Sequence, residues 1–207
     1  MKTEYRTVLK EAAAELVEKR SRFIATVKPV RTEEEALEAL ENIKKEYWDA
    51  RHNVYAYVIE ENNIQRYSDD GEPAGTAGLP VLEIIKKEGL SNLIVVVTRY
   101  FGGILLGTGG LVRAYSQSAK MGIEAAVPAK MVLCRDVKIF CDYSLLGKVQ
   151  SEILGRNLKI LDTEYGENVT VNCFVPEVET EKFCEDMTDK TNGKIKIELG
   201  ETGYNLV

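Results

Sequence analysis

The sequence predicts an α+β protein of two domains, one over residues 1–130 and one over residues 135–207. The 207-residue chain has a net charge of -6, and residues 135–207 alone carry 9 basic and 14 acidic side chains. Pro128 ends a helical pattern just before this change in charge, as expected of a linker. Strand and helix periodicities alternate in both halves, which is typical of a mixed α+β fold.

The second half has the periodicities of strand, helix, strand, strand, helix and strand, in that order. Val137, Ile139 and Cys141 alternate with polar residues, as in a half-buried strand. After one helix, two further strands are predicted near 158–164 and 168–175. This βαββαβ order predicts a ferredoxin-like domain, a scaffold that by itself says nothing about chemistry.

The first half mixes strands and helices in a less regular order. Its predicted elements are extended segments near 5–28, a helix after Thr32, a hairpin of Val54–Ile59 with Ile64–Tyr67, a helix near Val81–Glu88, a strand at Leu93–Thr98 and a helix from about Gly110 to Ala126. The helix after Thr32 is expected to turn Leu37, Leu40 and Ile43 inward. The strand at Leu93–Thr98 is a continuous apolar run, which indicates a central strand covered on both faces.

The composition excludes several classes of protein. No pair of the four cysteines has the spacing of a zinc knuckle or a redox motif. His52 is the only histidine, so a zinc enzyme or a Ser-His-Asp hydrolase is not indicated. No apolar run approaches the ~20 residues of a membrane span, and the N-terminal residues do not resemble a signal peptide. We therefore expect a cytoplasmic protein with no membrane partner, no cofactor and no metal.

One informative segment is Ser68–Gly78, with the sequence SDDGEPAGTAG. It places Asp69, Asp70 and Glu72 within four residues on a glycine-rich turn. Carboxylates this close repel one another and could share a divalent cation, or one of them could act as a base. The alternative is a tight turn whose aspartates accept hydrogen bonds from backbone amides and cap a helix starting near Thr76. Both interpretations stay open.

A second informative segment, Val95–Ser116, runs from a buried strand through a glycine-rich loop into a helix. From Gly89 to Ile123 the chain has no Asp or Glu, although it has Arg99, Arg113 and Lys120. Free N–H groups at a helix N-terminus suit an anion. The predicted binding residues are Arg99, Tyr100, Gly102, Gly103, Gly107, Thr108, Gly109, Gly110 and Arg113.

This second segment matches neither the P-loop nor the dinucleotide-binding fingerprint. In an alternative interpretation its glycines allow a helix and a strand to pack closely, and both arginines pair with Asp69, Asp70 or Glu72. The two interpretations are compatible, because paired arginines can still line a cleft. His52 enters a predicted strand, where histidine is more often a structural hydrogen bonder than a catalyst, and it is an auxiliary candidate.

Four segments of the chain resemble the IMPACT family, in particular its bacterial YigZ-type members. They are KRSRFIATVKPVRTEEEALEAL, ARHNVYAYVI, SDDGEPAGTAGLP and VVVTRYFGGILLGTGGLVRAYSQS. The resemblance covers Lys19–Lys120, and the βαββαβ segment matches the second domain of the bacterial members. Val54 departs from the pattern, since many relatives have cysteine there, and this puts a thiol role at that position in doubt.

The resemblance implies a first domain like a ribosomal-protein domain and a second domain similar to the C-terminal domain of a translation elongation factor. It also implies a link to translation, because eukaryotic relatives regulate initiation by binding a ribosome-associated activator of a stress kinase. Those relatives have an additional protein-binding domain that is absent here. For the bacterial members the resemblance implies no established reaction.

Three hypotheses about function follow. The preferred one is a translation-associated binding or regulatory protein that docks on RNA or a ribosomal surface through the glycine-rich, arginine-containing cleft. The second is an enzyme that acts on a phosphorylated or anionic small molecule through Asp69, Asp70 or Glu72. The third is an adaptor that binds a protein partner through its acidic second domain. We favour binding over catalysis.

Overall fold

The computed structural model describes residues 2–206 and confirms a mixed α+β fold. These residues divide into two compact units. One unit is Arg6–Ala129, and the other contains the residues from Lys130 onward together with those up to Tyr5. Each unit has its own hydrophobic core. No helix in residues 2–206 is long and apolar enough to cross a membrane.

The described strands and helices follow one another in a mixed order. They are β1 (Glu4–Val8), β2 (Ala12–Glu18), β3 (Ser21–Pro29), α1 (Glu33–Glu46), β4 (His52–Ile59), β5 (Ile64–Ser68), α2 (Gly78–Lys87), β6 (Leu93–Tyr100), α3 (Thr108–Ala125), β7 (Pro128–Cys141), α4 (Tyr143–Gly155), β8 (Ile160–Tyr165), β9 (Val169–Pro176), α5 (Thr180–Lys190) and β10 (Lys196–Leu206).

The unit Arg6–Ala129 is built on a five-stranded antiparallel sheet with the order β2-β3-β6-β4-β5. The predicted hairpin of β4 and β5 is confirmed, and β6 is the central strand, as its apolar run predicted. Successive residues of a strand face opposite sides of a sheet. Val95 and Val97 therefore share a core with α2 and α3, whereas Ile94 and Val96 pack with α1 on the other face.

Helix α1 begins as predicted but faces the sheet with a different set of side chains. The Thr32 side chain accepts a hydrogen bond from the Glu35 backbone N–H at 3.2 Å. The buried face consists of Ala36, Ala39, Leu40 and Ile43. The expectation that Leu37 turns inward is wrong, because its side chain is 45% exposed. Two alanines occupy the helical positions nearest the sheet and leave Leu37 outside.

The strands β2 and β3 form a hairpin with a very short turn. Glu18 pairs with Ser21, so only Lys19 and Arg20 connect the two strands. Their φ angles are +46° and +65°. Positive φ at both central residues is what a type I′ turn requires. Two long cationic side chains therefore stand at the tip of this hairpin.

The second unit confirms the predicted βαββαβ order. In its antiparallel sheet, β7 lies between β9 and β10, and β8 pairs with the other edge of β9. The helices α4 and α5 cover one face, where Val137, Ile139, Val149, Phe183 and Met187 are buried. The first residues also join this unit, since the Thr3 carbonyl accepts a hydrogen bond from the Leu133 N–H at 2.8 Å. The sequence periodicity does not predict that contact.

Helix α3 lies very close to β3 at Gly122. A Cβ atom there would lie 2.9 Å from both Ala25 Cβ and Val27 Cγ2. Gly122→Ala should therefore lower the free energy of unfolding by about 1–3 kcal/mol, measured by urea denaturation. The control is Gly147→Ala in α4, where no atom lies within 4 Å of the added Cβ. That variant should be stabilised by about 0.5–1 kcal/mol. Wild-type stability for Gly122→Ala would contradict the close approach.

Candidate functional site

The candidate site lies where β4 begins and β6 ends, on the face of the sheet that α2 and α3 cover. In the sheet register, Arg99 on β6 lies opposite His52 on β4 and opposite Phe23 on β3. Directly opposed residues of antiparallel strands place their side chains on the same face. The register therefore brings a guanidinium, an imidazole and an aromatic ring into one row.

A buried ion pair joins Arg99 to the acidic turn, Ser68–Gly78. The Arg99 Nη1 atom lies 2.5 Å from Glu72 Oε1, and the two residues are 6% and 9% exposed. The Tyr115 hydroxyl donates a hydrogen bond to the same Glu72 oxygen at 2.8 Å. Burial, and then the charge of Glu72, raise the pKa of Tyr115, which keeps its proton available for this bond.

The Arg99 guanidinium is enclosed on its other sides as well. It lies 5.3 Å from the ring centroid of Phe23 and 5.6 Å from that of Phe101. Its Nη2 donates to Ser21 Oγ at 3.5 Å, and the same oxygen accepts from the Gly102 N–H at 3.1 Å. Within residues 2–206 the buried Nε of Arg99 has no hydrogen-bond partner.

Gly102 must be glycine because of the hairpin between β2 and β3. A Cβ atom at Gly102 would lie 2.0 Å from the backbone carbon of Arg20 and 2.3 Å from the Ser21 nitrogen. No rotation of a side chain could relieve contacts of this kind, since they are with backbone atoms. The glycine loop, Phe101–Gly107, is therefore held directly against the tip of that hairpin.

Asp69 stabilises the backbone of the acidic turn. Its carboxylate accepts hydrogen bonds from the N–H groups of Gly75, Ala77 and Gly78, at 2.8, 3.1 and 2.8 Å. Two of these donors lie at the start of α2, whose first N–H groups lack partners within the helix. Asp69 thus caps the start of α2, as the turn-and-cap interpretation of this segment predicted.

Asp70 binds the start of β4. Its Oδ2 accepts a hydrogen bond from the Asn53 N–H at 2.6 Å, and its backbone carbonyl accepts one from His52 Nδ1 at 2.7 Å. A carbonyl oxygen can only accept, so Nδ1 of His52 carries a proton and Nε2 is the acceptor in a neutral ring. The bond orients the His52 ring.

The three carboxylates of the acidic turn thus have three different sets of partners. Asp69 binds amides, Asp70 binds β4, and Glu72 binds Arg99 and Tyr115. Across the described part of the chain, no three His, Cys, Asp or Glu side chains are grouped so that they could hold a metal ion. The geometry therefore gives the shared-cation hypothesis no support.

The first turn of α3 has free backbone donors. Gly107, with a φ of +73°, precedes the helix, and the first helical bond runs from the Leu111 N–H to the Gly107 carbonyl at 2.9 Å. The N–H groups of Thr108, Gly109 and Gly110 have no acceptor among residues 2–206. No acidic side chain lies in this turn. The end of this 18-residue helix can therefore bind an anion.

The acidic turn, the glycine loop and α3 border one cleft of about 450 Å³. Its lining comes from Arg51, His52, Gly71, Glu72, Pro73, Arg99, Phe101, Leu105, Leu106, Gly107, Thr108 and Leu111. Arg51 and Ser21 were not predicted from the sequence. Arg51 is exposed and precedes His52, and a single arginine or serine outside a motif carries little signal.

Other predicted residues lie outside this lining. Arg113 is exposed and lines a smaller pocket of about 120 Å³ with Lys19 and Gly110. It makes no ion pair with any residue in 2–206, so of the two arginines only Arg99 pairs with the acidic turn. The Tyr100 hydroxyl donates to Asp49 at 2.7 Å. Gly103, with a φ of +82°, serves the bend of the glycine loop.

The buried pair can be tested by double substitution. Glu72→Leu should lower the free energy of unfolding by roughly 3–5 kcal/mol, because it leaves the Arg99 charge buried without a partner. The double variant Glu72→Leu/Arg99→Met should lose less than this single variant, as measured by urea denaturation. Glu15→Leu, which breaks the exposed Arg22–Glu15 pair, is the control and should stay close to wild type. Additive losses in the double variant would contradict the coupling.

Comparison with known proteins agrees with this architecture along nearly the whole chain. The model of the Impact N-terminal domain matches residues 19–123, and that of a domain of unknown function, DUF1949, matches residues 139–194. A solved structure described as a crystal structure of a hypothetical protein is 28% identical, with a TM-score of 0.62. The match covers 97% of this chain and 99% of that one.

Two bacterial relatives are similar to this chain along most of their length. The IMPACT family member YvyE of Bacillus subtilis (strain 168) is 46% identical over 201 residues, which cover 97% of this chain and 93% of YvyE. The IMPACT family member YigZ of Escherichia coli (strain K12) is 31% identical over 182 residues, which cover 86% of this chain and 89% of YigZ. The resemblance found in the sequence is thereby confirmed, and the chain belongs to the IMPACT family.

Proposed function

We propose that this chain is a translation-associated binding or regulatory protein of the cytoplasm that docks on RNA, including the RNA of a ribosomal surface. The observation that carries the proposal is the set of free N–H groups at Thr108, Gly109 and Gly110, beside cations that have no acidic partner. Backbone amides and cations are the groups that bind nucleic-acid phosphates. Membership of the IMPACT family supports the link to translation.

Four exposed cationic residues lie near the glycine loop. Arg51 lines the cleft, Lys19 and Arg113 line the adjacent pocket, and Arg20 lies beside Gly102. None of the four forms an ion pair with a residue in 2–206. Since the whole chain has a net charge of -6, such a local group gives an acidic partner one preferred place to bind.

Exposed apolar side chains of the glycine loop complement these charges. Phe101 is 46% exposed and Leu105 is 81% exposed. Unpaired bases stack on aromatic and apolar side chains, whereas duplex RNA hides its bases. The surface therefore suits single-stranded RNA better than a duplex.

The proposal assigns the functional domains to residues 1–130 and 135–207, and it assigns RNA binding to the first. It is a proposal of binding and includes no catalysed step. In this proposal the predicted binding residues have different roles. Arg99 maintains the floor of the cleft, and Arg113 with Arg51 contacts phosphate.

The proposal is tested by removing the two exposed arginines. We expect Arg51→Ala/Arg113→Ala to weaken binding of a fluorescent single-stranded RNA 12-mer, measured by anisotropy at several salt concentrations. The slope of log K against log salt should fall by roughly 1.4, for two lost phosphate contacts at about 0.7 each.

The matched control is Arg31→Ala/Lys45→Ala, which removes two exposed cations at α1, on the other face of the same sheet. This variant should keep the wild-type slope. Equal slopes for all three proteins, or equal losses in the two variants, would contradict the proposed surface.

A further inference from the structure

One tryptophan side chain is exposed to solvent in the unit that contains the cleft. Trp48 is the only tryptophan of the chain, and it is 82% exposed. Leu105 of the glycine loop, at 81%, is the next most exposed large apolar residue in 2–206. Tryptophan is on average a highly buried residue, and exposed aromatic rings of this size are enriched where proteins bind partners. Trp48 therefore calls for a binding role.

A tight turn after α1 holds Trp48 in this position. The Ala50 N–H donates a hydrogen bond to the Tyr47 carbonyl at 3.0 Å. Trp48 and Asp49 are therefore the two central residues of a β-turn. Tyr47 is partly buried and packs against the core beneath α1, while Asp49 accepts a hydrogen bond from the Tyr100 hydroxyl at 2.7 Å. Because both neighbours of Trp48 are anchored, the backbone that presents its ring is ordered before any partner binds.

This turn lies beside the residues that border the cleft. Arg51, three residues after Trp48, lines the cleft, and three residues of extended chain span at most about 11 Å. The Nζ atom of Lys44, near the end of α1, lies 3.9 Å from Oδ1 of Asp70 in the acidic turn. The strand that binds the turn, β6, continues directly into the glycine loop. Trp48 is therefore within a few nucleotides of the cleft along a single strand.

The charge beside Trp48 favours a nucleic acid over an apolar protein surface. Arg51 is exposed, makes no ion pair with any residue in 2–206, and lines the same cleft as Leu105. The centres of protein–protein interfaces are depleted of charged residues. A single-stranded nucleic acid instead offers a flat base for an aromatic ring and a phosphate for a cation a few ångströms away. Trp48 and Arg51 match that pair of groups.

We propose that Trp48 is a base-stacking residue of the RNA-binding surface. One unpaired base stacks on the indole ring, a neighbouring phosphate contacts Arg51, and the strand continues over the glycine loop. This inference rests on the proposed function and deepens it, because it extends the surface beyond the cleft to the turn after α1. Every base has a face that can stack, so the contact selects single strands without selecting a sequence.

The first experiment uses Trp48 as its own reporter, since no other tryptophan contributes to the emission. The RNA 12-mer without its dye is titrated into the wild-type chain while tryptophan fluorescence is recorded. We expect stacking to quench the emission with the same midpoint as the anisotropy titration. Inorganic polyphosphate, which has the charges of RNA but no bases, should displace the labelled RNA and leave the emission unchanged.

The second experiment removes the ring and measures binding of the labelled RNA by anisotropy. Trp48→Ala should weaken binding roughly tenfold, as expected for the loss of one stacked base. The slope of log K against log salt should keep its wild-type value, because the ring contacts no phosphate. Trp48→Phe, which keeps a smaller ring, should recover part of the affinity.

The matched control is Tyr165→Ala, which removes a 65% exposed aromatic side chain from the second unit. It should bind RNA as the wild-type chain does. Circular dichroism checks that all three variants fold.

The outcomes separate this inference from the proposed function. If labelled RNA binds but Trp48→Ala binds it as tightly as wild type does, the stacking contact is overturned while RNA docking stands. The same conclusion follows if polyphosphate quenches the emission as RNA does, or if Trp48→Ala lowers the salt slope. If the emission shifts when the protein alone is concentrated, a second copy covers Trp48 and the inference is overturned. If no RNA binds, the proposed function fails and the inference fails with it.

Discussion

The ion pair between Arg99 and Glu72 is the interaction on which the candidate site depends. It joins β6 to a turn 27 residues earlier, and Tyr115 adds α3 from 43 residues beyond Glu72. Moving two charges out of water is costly, and only further hydrogen bonds and good geometry offset that cost. Tyr115, Ser21 and two aromatic rings supply those contacts. A strand, a turn and a helix are thereby held in fixed positions around one cleft.

The acidic turn shows why a cluster of charges in sequence need not be a cluster in space. A turn reverses the chain within a few residues, so neighbouring side chains leave it in different directions. Asp69 satisfies backbone donors, Asp70 holds the start of β4, and only Glu72 reaches the cleft. The chain uses two of these carboxylates to shape the turn that presents the third.

Much of the fold was predictable because its signals are local. The central strand at Leu93–Thr98 and the hairpin around Asn62-Asn63 follow from apolar runs and turn residues a few positions apart. Leu37 was assigned to the wrong face because hydrophobicity alone does not distinguish a leucine at the edge of the buried face from an alanine at its centre. Small residues lie where a helix and a sheet approach most closely.

The candidate site was predictable only in part. The absence of acidic residues from Gly89 to Ile123 and the glycines of the loop predicted an anion site at the start of α3, and the first-turn N–H groups there have no acceptor among residues 2–206. The partner of Arg99 was not determined by the sequence, because three neighbouring carboxylates were equivalent candidates. Sheet register and turn geometry decide among them, and both depend on contacts between distant parts of the chain. Ser21 joins the site through its hydrogen bond from Arg99, and Arg51 joins it by lining the cleft next to His52.

At the hairpin tip between β2 and β3, the residues present are not those that the backbone conformation favours. A type I′ turn is most readily adopted by Asn-Gly, and each non-glycine residue held at positive φ costs of order 1 kcal/mol. This chain nevertheless has Lys19 and Arg20 there, at +46° and +65°. The hairpin is less stable than an Asn-Gly turn would make it, and in return the turn whose backbone contacts Gly102 carries two cationic side chains, where Asn-Gly would carry none.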